Sequence, residues 1–573
     1  MCTLIRKSGF QLLLVVLVML AGSQTALSQS SPRHGLTRFA DDTVLVRFNP
    51  GAAAAEVAKA HRDAQGSLIR SFDPIGVNVI RVPKGSASRA VDRYRRNPNV
   101  EFVDLNYRRT IFLPTTTEGA EPGLGVANNF DEQYGLHNTG QAFGASLDPI
   151  FGTLVYPTYK GAAGADINAP EGWSITHGNS AVGIAVLDSG ITCDHLDLAG
   201  KCIEQVNYVA EHGSTLEDVM GHGTHVAGIA AATTDNSIGI AGVGWDSKVG
   251  SLKTCWEDYT LAILGIIIGQ CDDDDVIDAI LYATDAVSDS DPNLKKYQVI
   301  SMSFAGPDVS ASVETAVDYA WNNGMVLVAG AGNDYTQDIL YPAGFANVIG
   351  VGSTDYHDNL SAFSTFGPWV SVLAPGTAIL STMPGPPCGQ AAGEPSDCYD
   401  SKSGTSMSTP HVSGLAALLW AQNPTATSGQ IRGLIENGAD ATGALGQNML
   451  AWSEHGRINM AGSLGSTAEP TMHHVQSITV STLNAGRGRK HGVATVTIVD
   501  DFGSVVSGAT VTGTFSGAFN ETQNAVTDGN GSATLTTGAT AKGGITYEFC
   551  VDGVTYASTA YDPGANTVTC ASF

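Results

Sequence analysis

Residues 404–412 read Gly404-Thr405-Ser406-Met407-Ser408-Thr409-Pro410-His411-Val412, and the apolar run from Leu415 to Trp420 follows them. A polar, glycine-led segment that opens an apolar helix can hold one hydroxyl at the helix N-terminus. There, free N–H groups and the positive end of the helix dipole favour developing negative charge. Pro410 suits the first turn of such a helix, because its missing N–H has no partner there. Taken alone, the stretch fits an ordinary Ser/Thr-capped core helix equally well.

Two upstream stretches favour catalysis. Ala185-Val186-Leu187-Asp188-Ser189-Gly190 predicts a buried strand that ends in an acid, and Gly221-His222-Gly223-Thr224-His225 places a histidine at the start of a second helix. A hydroxyl nucleophile needs an imidazole to accept its proton and a carboxylate to orient that imidazole. The order Asp, His, Ser is the subtilisin order. The three motifs together resemble those of the subtilisin-like serine proteases, the subtilase family.

The resemblance implies a role for each residue of the site. His222 deprotonates Ser406, Asp188 orients His222, and an acyl-enzyme forms. Ala329-Gly330-Ala331-Gly332-Asn333 resembles the family segment whose asparagine amide donates to the tetrahedral oxyanion. A plain turn residue is the alternative for Asn333. The other two motif histidines, His225 and His411, are expected to be packed and hydrogen-bonded rather than catalytic.

Ser301-Met302-Ser303-Phe304-Ala305-Gly306 resembles the family strand that pairs with a bound peptide and lines its first pocket. Recognition by strand addition gives affinity without demanding one sequence. Family members usually have glycine where Ala305 stands, so the pocket edge should be slightly tighter. The residues assigned to substrate binding are Ser303, Phe304, Ala305 and Gly306.

Asn236-Ser237-Ile238-Gly239-Ile240 resembles the strong calcium loop of the family. The resemblance implies a structural Ca²⁺ held by Asp197, Asn236 and the carbonyls of Ile238 and Ile240, because calcium prefers several oxygen ligands. The N-terminal ligand of that site has no clear counterpart around residues 127–128. A plain turn is the alternative.

The largest departure from the family pattern lies between Cys255 and Asp275. It includes four adjacent acids, Asp272 to Asp275. They could recruit basic residues of a substrate or hold an extra calcium. The alternative is that they complement the dipole of a helix that runs from Val276.

Short apolar runs recur between residues 126 and 465 and do not alternate with polar residues. Such runs are typical of strands buried on both faces of a parallel sheet, and helical stretches lie between them. The sequence therefore predicts an α/β, doubly wound, mostly parallel catalytic domain with its site beyond the carboxyl ends of the strands. The runs are Val182 to Leu187, Val299 to Met302, Met325 to Ala329, Val348 to Val351 and Val370 to Leu373.

Three further segments flank this domain. Arg6 and Lys7 precede an apolar run, which predicts a secretory signal peptide over residues 1–28. Residues 29–125 resemble the ferredoxin-like α+β propeptide of subtilases followed by a linker, with a stable accessory domain as the alternative. Residues 466–573 alternate with period two between turns and predict an all-β, immunoglobulin-like sandwich. The catalytic domain then spans residues 126–465.

The net charge and the number of cysteines indicate which partners and which cellular compartment to expect. A net charge of −26 argues against nucleic acid as a partner. An even count of cysteines after loss of the signal implies disulfides in an exported chain. Sequence order suggests the pairs 193–202, 255–271, 388–398 and 550–570, although other connectivities stay open.

The sequence thus predicts a secreted serine endopeptidase that is made as a zymogen and acts on protein or peptide substrates. We expect a monomer without a membrane anchor, inhibited by its own propeptide. One alternative is a specific processing protease that prefers basic residues. Another is a non-catalytic adhesin built on an inactive protease fold.

Overall fold

A computed structural model describes residues 38–111, 129–143, 159–260, 267–289, 291–384, 398–466, 472–500, 504–557 and 559–573, and the backbone of two short strands at 146–147 and 154–155. Residues Thr37–Phe573 form one compact unit. The predicted signal peptide and the predicted linker, which covers residues 114–123, lie outside the described residues. Within the described part of the chain, no helix is both long enough and apolar enough to cross a bilayer.

The N-terminal module has the order β-α-β-β-α-β that is typical of ferredoxin-like folds. Its two helices and part of its antiparallel sheet enclose a small apolar core. The second strand of the module has little local strand signal, because its short sequence is mostly exposed and contains an arginine. The elements are β1 Phe39–Phe48, α1 Ala54–Ala64, β2 Ser67–Phe72, β3 Val77–Arg81, α2 Ala87–Arg95 and β4 Val100–Ile111.

A seven-stranded parallel sheet forms the centre of the molecule. Its strands lie in the order β10 (Cys202–Asn207), β11 (Lys248–Lys253), β9 (Gly183–Asp188), β14 (Val299–Met302), β15 (Val326–Gly330), β16 (Ile349–Thr354) and β17 (Val372–Pro375). This confirms the predicted doubly wound α/β fold. Its larger strands and helices are β9 Gly183–Asp188, β10 Cys202–Asn207, α4 His222–Ala231, β11 Lys248–Lys253, α5 Asp273–Asp285, β14 Val299–Met302, α6 Ala311–Asn322, β15 Val326–Gly330, β16 Ile349–Thr354, β17 Val372–Pro375, α7 Thr405–Gln422 and α8 Ser428–Asn437.

Shorter elements complete this part of the chain. They are β5 Ala142–Phe143, β6 Ser146–Leu147, β7 Leu154–Val155, β8 Tyr159–Lys160, α3 Ala169–Trp173, β12 Trp256–Asp258, β13 Ile268–Asp272, β18 Ile379–Thr382, β19 Tyr399–Lys402, α9 Met460–Gly465 and 3₁₀ turns at Phe130–Glu132, Ala210–His212 and Met449–Ala451.

Alternating residues of the central strand face two different cores. Ile184 and Val186 of β9 pack into the core that contains α4 and α7. Ala185 and Leu187 pack into the core that contains α5 and α6. A strand covered on both faces needs an uninterrupted apolar sequence, which is why this run was recognisable.

The N-terminal module and the central domain share a sheet. The hairpin of β12 and β13 pairs with β4 of the module, so a six-stranded sheet runs in the order β12-β13-β4-β1-β3-β2. Apolar residues of the module, among them Leu45 and Val77, belong to the same core as α5 and α6. The module is therefore packed closely against these helices.

The C-terminal segment forms two mostly antiparallel sheets around one core that includes Val496, Phe515 and Phe549. This confirms the predicted all-β sandwich. Its elements are β20 Met472–Gly486, β21 Arg489–Asp500, β22 Thr510–Gly517, β23 Glu521–Val526, β24 Ser532–Thr536, β25 Ala541–Lys542, β26 Tyr547–Thr555, β27 Ala560–Tyr561, a 3₁₀ turn at Pro563–Ala565 and β28 Cys570–Ser572.

Three of the suggested disulfides are present: Cys193–Cys202, Cys255–Cys271 and Cys550–Cys570. Cys398 is also disulfide-bonded. Its suggested partner, Cys388, lies outside the described residues. Cys255–Cys271 closes the β12–β13 hairpin, which is the part of the chain that departs most from the family pattern.

Candidate active site

An acid and a histidine meet at the carboxyl edge of the central sheet. Asp188 ends β9, and His222 begins α4. Nδ1 of His222 lies 2.7 Å from Oδ1 of Asp188, and both side chains are buried. Gly223 permits this approach, because a Cβ there would lie 2.1 Å from the Gly190 carbonyl oxygen. The strand end and the helix start therefore hold the imidazole in one orientation.

Asp218 fixes the start of α4, and the sequence analysis did not identify it. Its carboxylate accepts hydrogen bonds from the N–H of Gly221 at 2.9 Å and from the N–H of Thr224 at 2.8 Å. It also accepts from the hydroxyls of Thr224 and Ser189 at 2.6 and 2.7 Å. Burial raises the pKa of Asp218, and these donors oppose the shift. An acid just ahead of a helix start is the signal that could have identified it.

Ser406 is the second residue of α7, so its N–H has no acceptor within the helix. Its Oγ donates to the Ser303 carbonyl at 3.1 Å. Pro410 is the sixth residue of the helix, so its predicted place in the first turn is wrong. A proline at that place removes the N–H that would reach the Ser406 carbonyl. Ser303 Oγ donates to that carbonyl instead, at 3.1 Å.

The structure joins Asp188 to His222 but does not join His222 to Ser406 by a hydrogen bond. Among the residues that the structure describes, Nε2 of buried His222 has no hydrogen-bond partner. Catalytic hydrogen bonds of this kind often form only when the substrate is in place. Both groups lie at helix starts that follow the carboxyl edge of the sheet.

Asn333 is anchored to the residue that precedes the serine. Its Oδ1 accepts hydrogen bonds from the N–H and the hydroxyl of Thr405, at 2.9 and 3.1 Å. The hydroxyl oxygen of Thr405 also accepts from the N–H of Gly332 at 3.1 Å. With the amide oxygen engaged in this way, the NH₂ group is left as the donor. Thr405 therefore fixes the orientation of the Asn333 amide, although its sequence position suggested only a cap.

The predicted peptide-binding segment is paired with the chain itself. Ala305 donates to Thr110 at 3.4 Å and accepts from Thr110 at 3.1 Å. On its other side β4 pairs with β13, with Gly269 opposite Ile111 and Asp272 opposite Arg108. Residues at the end of β4 thus lie as a strand between β13 and Ala305, and Gly306 pairs with Tyr341.

Comparison with known proteins identifies the family of this chain. Residues 179–456 match the profile of the Subtilase family. The thermophilic serine proteinase of Bacillus sp. (strain AK1) is 32% identical over 439 residues, which are 76% of this chain and 90% of that protein. The chain belongs to the subtilase family. It is a subtilisin-like serine endopeptidase.

Further comparisons extend the likeness to the N-terminal module of this subtilase. Residues 28–106 match the Fervidolysin N-terminal prodomain. Thermitase from Thermoactinomyces vulgaris is 39% identical over 312 residues, which are 54% of this chain and 96% of thermitase. Fervidolysin from Fervidobacterium pennivorans shares the fold, with a TM-score of 0.56 and 24% identity over 91% of this chain and 72% of that one.

The other two motif histidines of the subtilase are buried and bonded to the backbone. Nε2 of His225 lies 2.9 Å from the Asp400 carbonyl oxygen, and Nδ1 of His411 lies 2.8 Å from that of Met407. Burial lowers the pKa of His225 and lowers that of His411 to about 4. Both side chains are therefore neutral parts of the core.

The residues predicted to hold calcium surround one buried carboxylate. Asp197 accepts hydrogen bonds from Asn236 Nδ2, the Ile240 N–H and the Tyr399 hydroxyl, each at 2.9 Å. The Ile238 N–H donates to Asn236 Oδ1 at 2.9 Å. Burial raises the pKa of Asp197, and the hydrogen bonds from its donors offset only part of that rise. The chain itself thus satisfies this carboxylate in the present arrangement.

A second acidic cluster lies beneath the N-terminal module. Carboxylate oxygens of Glu211, Asp274 and Asp275 lie within 4.8 Å of one another, which is close enough to hold a metal ion. Arg70 of the module pairs with Asp274 at 3.0 Å and with Asp275 at 3.4 Å. A guanidinium therefore provides positive charge for this cluster. The helix that was expected from Val276 begins earlier, at Asp273, so Asp274 and Asp275 lie in its first turn.

Proposed function

We propose that this subtilase is a secreted endopeptidase that works through Asp188, His222, Ser406 and Asn333. The observation that carries the proposal is the 2.7 Å contact between Asp188 and His222, at the sheet edge where the α7 helix presents Ser406. Three disulfides and the predicted signal peptide support an exported protein. Its substrates are the protein chains that a strand-pairing cleft accepts.

The reaction follows from this arrangement. Ser406 Oγ leaves the Ser303 carbonyl and attacks the scissile carbonyl carbon, while His222 Nε2 takes its proton. The NH₂ of Asn333 and the N–H of Ser406 donate to the oxyanion. His222 then gives its proton to the leaving amine as the C–N bond breaks, which leaves an acyl-enzyme. A water molecule, deprotonated by His222, releases the acid and restores Ser406.

The N-terminal module acts in this proposal as an intramolecular inhibitor. Two hydrogen bonds with Ala305 hold Thr110 in the cleft, and a substrate must use the same backbone groups. Ile111 and its neighbours add a second row of pairing with β13. We accordingly propose residues 29–125 as propeptide and linker, 126–465 as the catalytic domain and 466–573 as the C-terminal domain, with residues 1–28 as the signal.

A structural calcium ion at Asp197 is part of the proposal. A half-turn of the Asn236 amide would present oxygen instead of nitrogen, and the carbonyls of Ile238 and Ile240 belong to the same turn. Buried Asn129 donates its N–H to the Gly239 carbonyl of this turn at 2.6 Å. Its side-chain nitrogen has no partner among the described residues, so a half-turn of this amide could present its oxygen as a further ligand. The ion would stiffen the turn and takes no part in the reaction.

Labelling with a serine-directed phosphonate tests the catalytic assignment. We expect one adduct per chain, mapped to Ser406 by mass spectrometry, and none in Ser406→Ala. His222→Ala keeps the hydroxyl but loses the base, so we expect labelling at least about a hundredfold slower. An unlabelled wild type would favour the non-catalytic adhesin. Labelling that is unchanged in His222→Ala would exclude His222 as the base.

A further inference from the structure

One arginine of the N-terminal module fills a closed pocket beside the cleft. Arg109 has 1% of its side chain exposed. Its Nε and Nη2 donate to the two carboxylate oxygens of Asp273 at 2.7 and 3.0 Å. The remaining nitrogen, Nη1, donates to the Asp308 carbonyl at 2.6 Å. Its stem passes over Gly306, where an added Cβ would lie 3.2 Å from Arg109 Cδ. The pocket fits a planar guanidinium fork, a shape that lysine lacks.

Strand register gives the number of peptide residues between this pocket and the bond that Ser406 attacks. Thr110, which follows Arg109, pairs with Ala305. In an antiparallel pair, each step forward on one strand is a step back on the other. A peptide in the same register therefore brings the second residue after that position opposite Ser303, whose carbonyl accepts the Ser406 hydroxyl at 3.1 Å. The bond attacked follows that residue, so the pocket takes the fourth residue before the cut.

The pocket offers the negative charge of Asp273 as well as a shape that fits a guanidinium. Asp273 is fully buried and is the first residue of α5. Burial raises its pKa, while Arg109 and a hydrogen bond from Ser310 oppose the shift. When the propeptide leaves, Asp273 loses Arg109 and keeps the hydrogen bond from Ser310 and the helix dipole. A buried charge without its partner is costly, so an incoming guanidinium is stabilised there.

One other acid of the same helix, Asp278, differs from Asp273 in this respect. Asp278 has 36% of its side chain exposed and pairs with Arg70, which is itself 32% exposed. Groups this exposed attract basic chains but discriminate weakly between them. Selection by shape and charge together is therefore expected at Asp273 rather than at Asp278.

We propose that the mature enzyme uses this vacated pocket to select protein substrates with arginine at the fourth residue before the cleaved bond, with Asp273 as the specificity-determining residue. This inference rests on the endopeptidase function proposed above. It makes the propeptide's Arg109 the first guanidinium that the pocket binds and substrate arginines the later ones.

A peptide series on the wild-type mature enzyme tests the proposal without any variant. The probes are acetyl-Xaa-Thr-Ile-Phe p-nitroanilides, in which Xaa is arginine, citrulline, lysine or leucine. Citrulline has nearly the shape of arginine but no charge. Hydrogen bonds to charged groups are strong in buried sites, so we expect kcat/KM for arginine to exceed that for citrulline about 10- to 100-fold. Lysine should fall between them, because it cannot form the fork.

Two substitutions then locate the selection. In Asp273→Asn, the ratio of arginine to citrulline should fall to within about threefold of unity, because the charge is gone. Asp278→Asn is the matched control, and it should keep the wild-type ratio. Each ratio is taken within one enzyme, so a general loss of activity cancels. If Asp273→Asn does not fold, the wild-type series alone decides.

The outcomes separate the two proposals. Equal kcat/KM for all four peptides, with casein still degraded, would overturn the arginine pocket and leave the endopeptidase function intact. A mature enzyme that cuts neither peptides nor casein would overturn the endopeptidase function itself. A preference for arginine that Asp278→Asn removes and Asp273→Asn retains would place the selection elsewhere and so contradict the role of Asp273.

Discussion

The pair of Arg109 and Asp273 should decide how firmly the propeptide strand stays in the cleft. We consider Arg109→Ala in a Ser406→Ala background, which prevents self-cleavage. The two side chains are 1% and 0% exposed, so the change leaves a buried carboxylate without its partner. Breaking such a pair typically costs about 3–5 kcal/mol, and the helix N-terminus offsets about 1 kcal/mol of that. We expect the strand to open about 3 kcal/mol more easily.

Hydrogen exchange measured by mass spectrometry reports this opening directly. A change of about 3 kcal/mol corresponds to about a hundredfold faster exchange, since each 1.36 kcal/mol is a factor of ten. The effect should appear in peptides that contain residues 108–111, where the Thr110 N–H is bonded to Ala305. Arg89→Ala is the control, because Arg89 is exposed and its guanidinium donates to the Gly85 carbonyl, just ahead of its own helix.

A double variant sharpens the test. Arg109→Leu with Asp273→Leu removes both charges, and apolar replacement of a whole buried pair is often close to neutral. We expect this double variant to exchange far more slowly in residues 108–111 than Arg109→Ala. Acceleration of less than about threefold in Arg109→Ala would refute the view that this pair holds the strand.

Three further predictions concern the oxyanion, calcium and pH. Asn333→Ala should lower kcat about 10²–10³-fold with little change in KM, the effect seen when the equivalent donor is removed in subtilisin; an equal rise in KM with kcat unchanged would assign Asn333 to binding. Chelation of calcium should lower the free energy of unfolding of the Ser406→Ala protein by about 2–3 kcal/mol if the ion is at a hundredfold its Kd. The melting temperature should fall accordingly, and Asp197→Asn should abolish the effect; insensitivity of the parent to chelator would contradict the site. Burial, opposed chiefly by Arg108, raises the pKa of Asp272 to about 7, above the value of about 4 for a free aspartate. The folded protein thus holds a proton that the unfolded chain releases, so stability should fall as pH rises from about 4 to about 7. Asp272→Asn should flatten that decline, and an equal decline in both proteins would exclude Asp272 as its source.

Local sequence patterns were enough to predict the fold class and to identify several candidate site residues. Apolar runs predicted most of the central sheet, because every residue of β9, β14, β15, β16 and β17 is buried. Strand β10 lies at the sheet edge and β11 next to it; β10 is half exposed with mixed polarity and β11 is interrupted by Gly250, so neither gave such a run. Strand β23 has no buried residue and was missed for the same reason.

Contacts between distant residues could not be predicted in the same way. Asp272 to Asp275 suggested a helix start, a metal site or a basic partner, and nothing local indicates that Arg108 and Arg109, more than 160 positions away, pair with them. Pro410 was misplaced because the helix begins at Thr405, and the donor that compensates for the missing N–H comes from Ser303, which follows strand β14. Such compensation is visible only in three dimensions.

The most direct test compares secreted wild type with Ser406→Ala, by casein hydrolysis and by N-terminal sequencing. Counting from the pairing of Thr110 with Ala305 predicts that the chain cuts itself after Phe112. We expect an active wild type whose N-terminus is Leu113, and an inert Ser406→Ala that keeps its propeptide. Equal casein hydrolysis by the two proteins would contradict the account, because the nucleophile would then not be Ser406.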